Sequence, residues 1–472
     1  MKMTWISDYE AQPGELIEWR LHSTSIAAAV RSELDPRPPS YMQEAHVRTA
    51  AVLRNMGIEA PTWLGAAFDV PGALDVNALE TALLHWITRH ETLRSGLRLA
   101  GAEWQRFTLS AEDVSLDRTA GRHFSLGADL LRHLEDRSDE ATDPLTWPPY
   151  LLATVGRDDG FTVYLAFDHS NVDGYSIVQI PYEIHELYAA AVAGRPARLA
   201  KAGSYVDFSK RERDAADDVS ADHESVLRWR DFVESCGGVL PAFPLDLGVT
   251  PGELPKQTGV CEWLLDSADA KAFGAVCKAA DGNFFAGVLA IASIVAYERA
   301  DQPVYRTVIP FHTRSEEQWA TSLGWYIGLA PIEIATARAQ DFHELVGMAH
   351  EAVRKAKPVA QVPFAKVCRL MELVVRPMSV ISYMDGQTVP GARRWRDWKA
   401  HGFGKVSYGD EAYLWVNRTV DGLFVTSRYP STDVGHKNMS AFIERTRELL
   451  RLVARSGGHG FERDVALERA VA

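Results

Sequence analysis

The chain is poor in cysteine, with four residues in 472, and Cys236, Cys261, Cys277 and Cys368 form no CxxC pair. A cysteine-built zinc site or a dithiol redox centre is thereby disfavoured, and a chain of this length buries a core without disulfide staples. The four thiols are expected to be reduced core residues. His85, His90, His133, His185 and His350 lack the HxxxH and HExxH spacings that set two ligands on one helix face, so no metal is expected. Phosphate-cradling loops of the GxxxxGK[ST] or GxGxxG type are missing, as is a GxSxG nucleophile elbow. Positive charge is in deficit: 50 Lys and Arg face 63 Asp and Glu, for a net charge of -13 with the signs interleaved. No basic stripe can neutralise a phosphate backbone, and nucleic acid is not an expected partner. No apolar run approaches the about 20 residues of a membrane span. The first residues carry acids and an early Pro13-Gly14 instead of the charged-then-apolar order of a signal peptide. The expectation is a cytoplasmic protein without a transmembrane segment.

What is present is ordinary globular material, 46% hydrophobic and 24% charged, and more of it than one core usually accommodates. The clearest break follows the acidic stretch Asp214–Asp222 and a helix-like segment from Glu224 to Cys236. There a Pro/Gly run extends from Gly237 through Pro241, Pro244, Gly248, Pro251, Gly252 and Pro255 to Gly259. Such a run continues neither a helix nor a central strand. Two domains are predicted, 1–236 and 259–472, joined by a linker over 237–258. Each alternates strands with helices, an α/β pattern. Asp75 can cap a helix running to about Arg94, and Asn283 a strongly apolar one from Phe284 to Tyr297. Asp421-Gly422 joins two strands, Ala412 to Arg418 and Leu423 to Tyr429, as a hairpin. A final amphipathic helix spans about Met439 to Val453.

The chemistry concentrates in Asp168-His169-Ser170-Asn171-Val172-Asp173-Gly174. The alternating strand before it, Phe161 to Phe167, fixes where the imidazole points, and a helix with Ile177, Ile180, Ile184 and Leu187 on one face follows. A neutral imidazole accepts a proton near neutral pH. Gly174 lets a substrate approach the backbone, where amides at a helix start suit a developing oxyanion. The same residues also fit a core histidine followed by a helix-capping aspartate, and the spacing alone leaves both readings open.

Other stretches carry a resemblance. The loop resembles the HHxxxDG signature of the condensation-domain superfamily, which includes peptide condensation domains, chloramphenicol acetyltransferase and polyketide-associated acyltransferases. In the matching order follow Arg89-His90-Glu91-Thr92-Leu93-Arg94 before the loop, and Tyr205-Val206-Asp207-Phe208 with Arg228-Trp229 after it. Then come Ile309 to Arg314, Leu323-Gly324-Trp325-Tyr326-Ile327-Gly328, Pro363 to Val367 and Ile381 to Asp385. Pro39-Ser40-Tyr41-Met42-Gln43, Gly404-Lys405-Val406-Ser407 and Leu414 to Arg418 are similar to the actinobacterial polyketide-associated (Pap) proteins that acylate trehalose.

The resemblance implies two chloramphenicol-acetyltransferase-like subdomains in a V-shaped pseudo-dimer with a central tunnel. It implies His169 as general base, and Asp173 as a structural carboxylate paired with an arginine, Arg314 being the candidate and Arg306 and Arg418 the alternatives. Gly174 belongs to the same structural set. Tyr326, Ser382 and Asn417 are implied as substrate-binding residues. The implied reaction moves an acyl group from a coenzyme A or carrier-protein thioester to the hydroxyl of a sugar such as trehalose. Amide formation with an amine acceptor, and a non-catalytic carrier-docking role, are the alternatives. No cofactor is implied. Two departures stand out. Position 168 is Asp where the full signature has its first histidine, and strand alternation aims it away from His169. Contact with that ring would raise its pKa. The DFGWG segment of many relatives is absent, with His401–Gly409 standing nearby. Arg393-Arg394-Trp395-Arg396 with Trp398-Lys399 forms a basic-aromatic stretch, read as a solvated loop or as a surface for coenzyme A phosphates or an acidic carrier protein.

Overall fold

The computed structural model describes residues 1–58, 61–250 and 252–458. Pro251 of the Pro/Gly run and residues 459–472 of the expected second domain lie outside the described residues. Two sheets organise the chain. The larger runs from edge to edge as Lys2–Trp5, His401–Gly404, Trp63–Pro71, Gly160–Asp168, Tyr150–Gly156, Gly14–Leu21 and Leu116–Arg118, with Arg122–Phe124 also pairing to Gly14–Leu21. The smaller runs as Gln257–Asp266, Gly422–Pro430, Ala412–Thr419, Ser379–Asp385, Tyr305–His312 and Ile327–Ile334. This is the expected α/β fold.

Gly160–Asp168 lies near the middle of the larger sheet and is buried along its whole length. Its alternation sends Phe161, Val163, Leu165 and Phe167 into one core with Leu79, Trp86, Ile177 and Ile184, while Tyr164 and Ala166 face a smaller second one. The helices Val76–Arg89 and Gly174–Val192 supply that first core. Asp75 caps the former by accepting from the amides of Asn77 and Ala78. The helix stops at Arg89 because His90 turns extended and spends its Nε2 on Glu183, 2.7 Å away, before a short 3-10 turn at Glu91–Arg94. In the second half Asn283 caps Phe284–Ala300, whose Val288, Leu289, Ile291 and Ile294 are almost wholly buried. Among the described residues no single helix is long and apolar enough to cross a membrane. The hairpin turns at Gly422, where φ is +142° and a Cβ would stand 2.3 Å from the Leu265 carbonyl oxygen. Both conditions select glycine.

Packing divides the chain differently from the predicted boundaries. The helix Glu224–Ser235, assigned to the first domain by its place before the Pro/Gly run, turns Val226, Trp229, Phe232 and Val233 into the core of the second sheet. In return, Val389, Ala392, Trp395, Trp398 and Ala400 enter the first core. His401–Gly404 then pairs in parallel with Lys2–Trp5 and antiparallel with Trp63–Pro71. The basic-aromatic stretch is therefore no aromatic surface: its indoles are interior, while Arg393, Arg394, Arg396, Asp397 and Lys399 face solvent. Burial of that much apolar area outweighs the chain's local order as the determinant of which half a segment joins.

Candidate active site around His169

The strand ends at Asp168, and a tight turn follows in which the Asn171 amide donates to the Asp168 carbonyl at 3.0 Å. The turn lifts His169 out of the sheet. Asp173 then takes extended backbone angles and caps the helix Gly174–Val192, accepting from the Ser176 amide at 2.8 Å. The His169 ring is half-buried and stacks on Trp325, with centroids 3.9 Å apart and planes 26° from parallel. Its Nδ1 is enclosed without a hydrogen-bond partner among the described residues. Burial, aided by the nearby His46 charge and opposed by Asp168 and Asp173, lowers its pKa to about 4. The imidazole is neutral at physiological pH and able to accept a proton. Beside it, the first-turn amides of Gly174 and Tyr175 have no intrahelical acceptors. A Cβ built on Gly174 meets no atom within 4 Å, so open space adjoins those amides.

Asp173 is 1% exposed, and Arg314 meets it from the end of the strand Tyr305–His312 in the other half. The guanidinium donates through two nitrogens, at 2.6 Å to Oδ2 and 2.9 Å to Oδ1, in the planar fork that only arginine offers. It also donates to Ser176 Oγ at 2.9 Å, and the Tyr326 amide donates to Asp173 Oδ2 at 3.1 Å. Burial alone would raise the Asp173 pKa, but the Arg314 charge and these hydrogen bonds outweigh it and hold the carboxyl below its usual range. The two alternative arginines are engaged elsewhere: Arg306 bonds Glu333, and Arg418 lies over Phe284 near Asp385.

Tyr326 does not offer its side chain to a substrate. The ring is 0% exposed, lies 4.3 Å beneath the Arg314 guanidinium, bonds Ser322 through its hydroxyl and joins Tyr205, Phe208 and Trp319 in a separate aromatic cluster. The residue in front of His169 is its neighbour Trp325, which sequence reasoning passed over. Chain alternation explains the exchange, since a backbone that turns the 326 amide toward Asp173 sends the 325 and 326 rings to opposite sides. Ser382 is half-buried on Ser379–Asp385, and Asn417 is buried with its Nδ2 donating to the Trp415 carbonyl at 3.1 Å. Neither shares a hydrogen bond with the His169 loop among the described residues.

Asp168 points away from His169, and its partner is a residue the sequence did not single out. His46, on the helix Tyr41–Asn55, places Nε2 2.8 Å from Asp168 Oδ2, while the Ser170 amide donates to Oδ1 at 2.9 Å. The Arg89-His90 pair acts at a distance: with Trp86 it converges on Glu183 and fixes the helix that begins at Gly174.

The family model of the condensation domain matches residues 63–378. At 26% identity over 466 residues, covering 97% of this chain and 89% of the relative, the chain is similar to 2'-acyl-2-O-sulfo-trehalose (hydroxy)phthioceranyltransferase PapA1 of Mycobacterium tuberculosis (strain CDC 1551 / Oshkosh). It is 28% identical to trehalose-2-sulfate acyltransferase PapA2 of Mycobacterium bovis (strain BCG / Pasteur 1173P2), covering 95% of this chain and 96% of the relative. A solved structure of PapA2 acyl transferase superposes with a TM-score of 0.89 at 26% identity, covering 96% of this chain and all of the other.

Proposed function

Because the chain belongs to the condensation-domain family, we propose that it is an acyltransferase that moves an acyl group from a thioester to a hydroxyl of a sugar such as trehalose. The observation that carries this reading is the neutral His169, stacked on Trp325, in a loop that leads within five residues to a helix start at Gly174 with open space beside it. The activities named for the similar Pap proteins favour a sugar hydroxyl over an amine as acceptor. The donor carrier is coenzyme A or an acyl carrier protein.

In this mechanism His169 takes the acceptor hydroxyl proton on Nε2 while the oxygen attacks the thioester carbonyl carbon. The carbonyl electrons move to oxygen, where amides at the helix start stabilise the charge. As the oxyanion collapses the C–S bond breaks, and the leaving thiolate takes the proton back from His169. Ester and thiol are the products, and no covalent acyl-enzyme is required. Asp173 and Arg314 do not react; they hold the loop between the halves, where a tunnel would bring donor and acceptor together from opposite mouths. Ser382 and Asn417 are the proposed lining residues on the second-half side.

The test incubates the protein with acyl-coenzyme A and trehalose, then with an amine acceptor, beside His169→Ala. Ester formation by the wild type and a loss of about 10²–10⁴ in rate for the variant are expected. Amide product alone would move the reading to condensation. Unchanged turnover by His169→Ala would remove the base assignment.

A further inference from the structure

The helix Tyr41–Asn55 grips the upstream end of the His169 loop at two points one turn apart. Gln43 donates Nε2 to the Ser170 carbonyl at 2.9 Å, and His46 meets Asp168 at 2.8 Å. Behind Gln43 stands a fully buried Arg106, donating to Gln43 Oε1 at 2.7 Å, so the grip is itself supported. Asp168 is 0% exposed. A lone carboxylate there would be costly, and among the described residues His46 is the cation within reach. His46 and His169 also touch the same indole: Trp325 lies 3.9 Å from the His169 centroid and 5.5 Å from that of His46, the latter edge-on at 78°.

We infer that His46 with Asp168 is a positioning unit for the acyl-transfer site, a hydrogen-bonded pair that clamps the upstream end of the loop and sets the electrostatic surroundings of His169. The inference rests on the acyl-transfer reading above. Burial works against a charged His46, but the Asp168 charge and hydrogen bond outweigh it and raise the His46 pKa. The charged groups around His169 are His46, Asp168 from its own strand, and Asp173, already neutralised by Arg314. Of these, His46 opposes protonation of His169 and the two carboxylates favour it, with His46 the stronger influence. The histidine that the full signature carries at position 168 is thus replaced by an aspartate that holds a histidine from 122 residues upstream.

Histidine-selective ¹⁵N NMR titration of the substrate-free protein reads the His169 midpoint directly. His46→Gln removes the repelling cation and leaves the attracting Asp168, so the midpoint should rise by about one pH unit or more. The double variant His46→Gln/Asp168→Asn keeps a neutral hydrogen-bonded pair, avoids a buried lone charge and should rise by less. In a transfer assay the acid limb of kcat/KM should move upward in the same order. An unmoved midpoint in both variants overturns the inference, as does activity lost equally at every pH with the limb in place. A wild type that transfers no acyl group to any acceptor sinks the acyl-transfer reading instead, and the titration still decides the electrostatic role of His46.

Discussion

Two buried carboxylates flank His169, and the molecule holds them in opposite ways. Asp168, upstream, is met by His46 from its own half, a partner whose charge depends on pH. Asp173, downstream, is met by Arg314 from the other half, a partner charged at every accessible pH, through two parallel hydrogen bonds. The upstream anchor is the one proposed to set the electrostatics of His169. The downstream anchor makes the loop's shape depend on how the two halves dock, because no residue of the first half supplies a cation to Asp173 among the described contacts. A loop spanning such unequal anchors can be tuned at one end without being released at the other.

The largest effect is expected from breaking the downstream anchor. Arg314→Ala leaves Asp173 buried and uncompensated, which should cost about 3–5 kcal/mol in urea denaturation and abolish transfer. Arg314→Lys restores a charge without the fork and should fall between wild type and alanine. Were Arg314→Ala to unfold at the wild-type urea midpoint, the brace would be idle and the contrast between the two anchors would dissolve.

The legibility of these anchors in the sequence differs for a physical reason. Asp173 announces itself locally, as a cap before a helix with apolar 3.6-residue periodicity, whereas Arg314 is implied by the family resemblance alone, and no local signal separates it from Arg306 or Arg418. Asp75, Asn283 and the Asp421-Gly422 turn are legible for the same reason: each satisfies backbone needs within four residues. His46 leaves no such trace. It sits mid-helix among Glu44, Arg48 and Thr49 and looks like any solvated histidine until the fold carries it to Asp168. The exchange of Val389–Gly404 into the first core and of Glu224–Ser235 into the second was equally hidden, because apolar periodicity states that a face is buried and not against what. Trp325 and Tyr326 show the finest limit. Both belong to one motif, and a single register step decides which ring meets the imidazole.

A smaller effect sharpens the comparison through pH. The His169 pKa of about 4 lies below the ordinary 6.5, so the unfolded chain binds more protons between those values. Stability from this group is present above pH 6.5 and is lost as pH falls toward 4, by about 1–3 kcal/mol. His46 has the opposite sign: its raised pKa gives stability present below pH 6.5 and lost as pH rises through the folded value. Urea midpoints from pH 4.5 to 8.5 should therefore lose their acid-side fall in His169→Gln and their alkaline-side fall in His46→Gln/Asp168→Asn. Identical profiles for the two variants would show that one histidine carries both limbs.

The smallest effect on stability belongs to Gly174, which follows Asp173 in the chain but has no side chain to take part in either anchor. Its φ lies outside the left-handed region and an added methyl meets no atom within 4 Å, so Gly174→Ala fits the fold. Restricting the unfolded chain should even stabilise it by about 0.4–1 kcal/mol. The methyl nevertheless enters the open space beside the first-turn amides, where the oxyanion is proposed to form. The rate should fall by up to the about 10²–10³ that losing one such donor costs, with both anchors intact. A variant that is more stable and much slower would separate the loop's chemistry from its architecture. A variant as fast as the wild type would place the oxyanion away from this helix start.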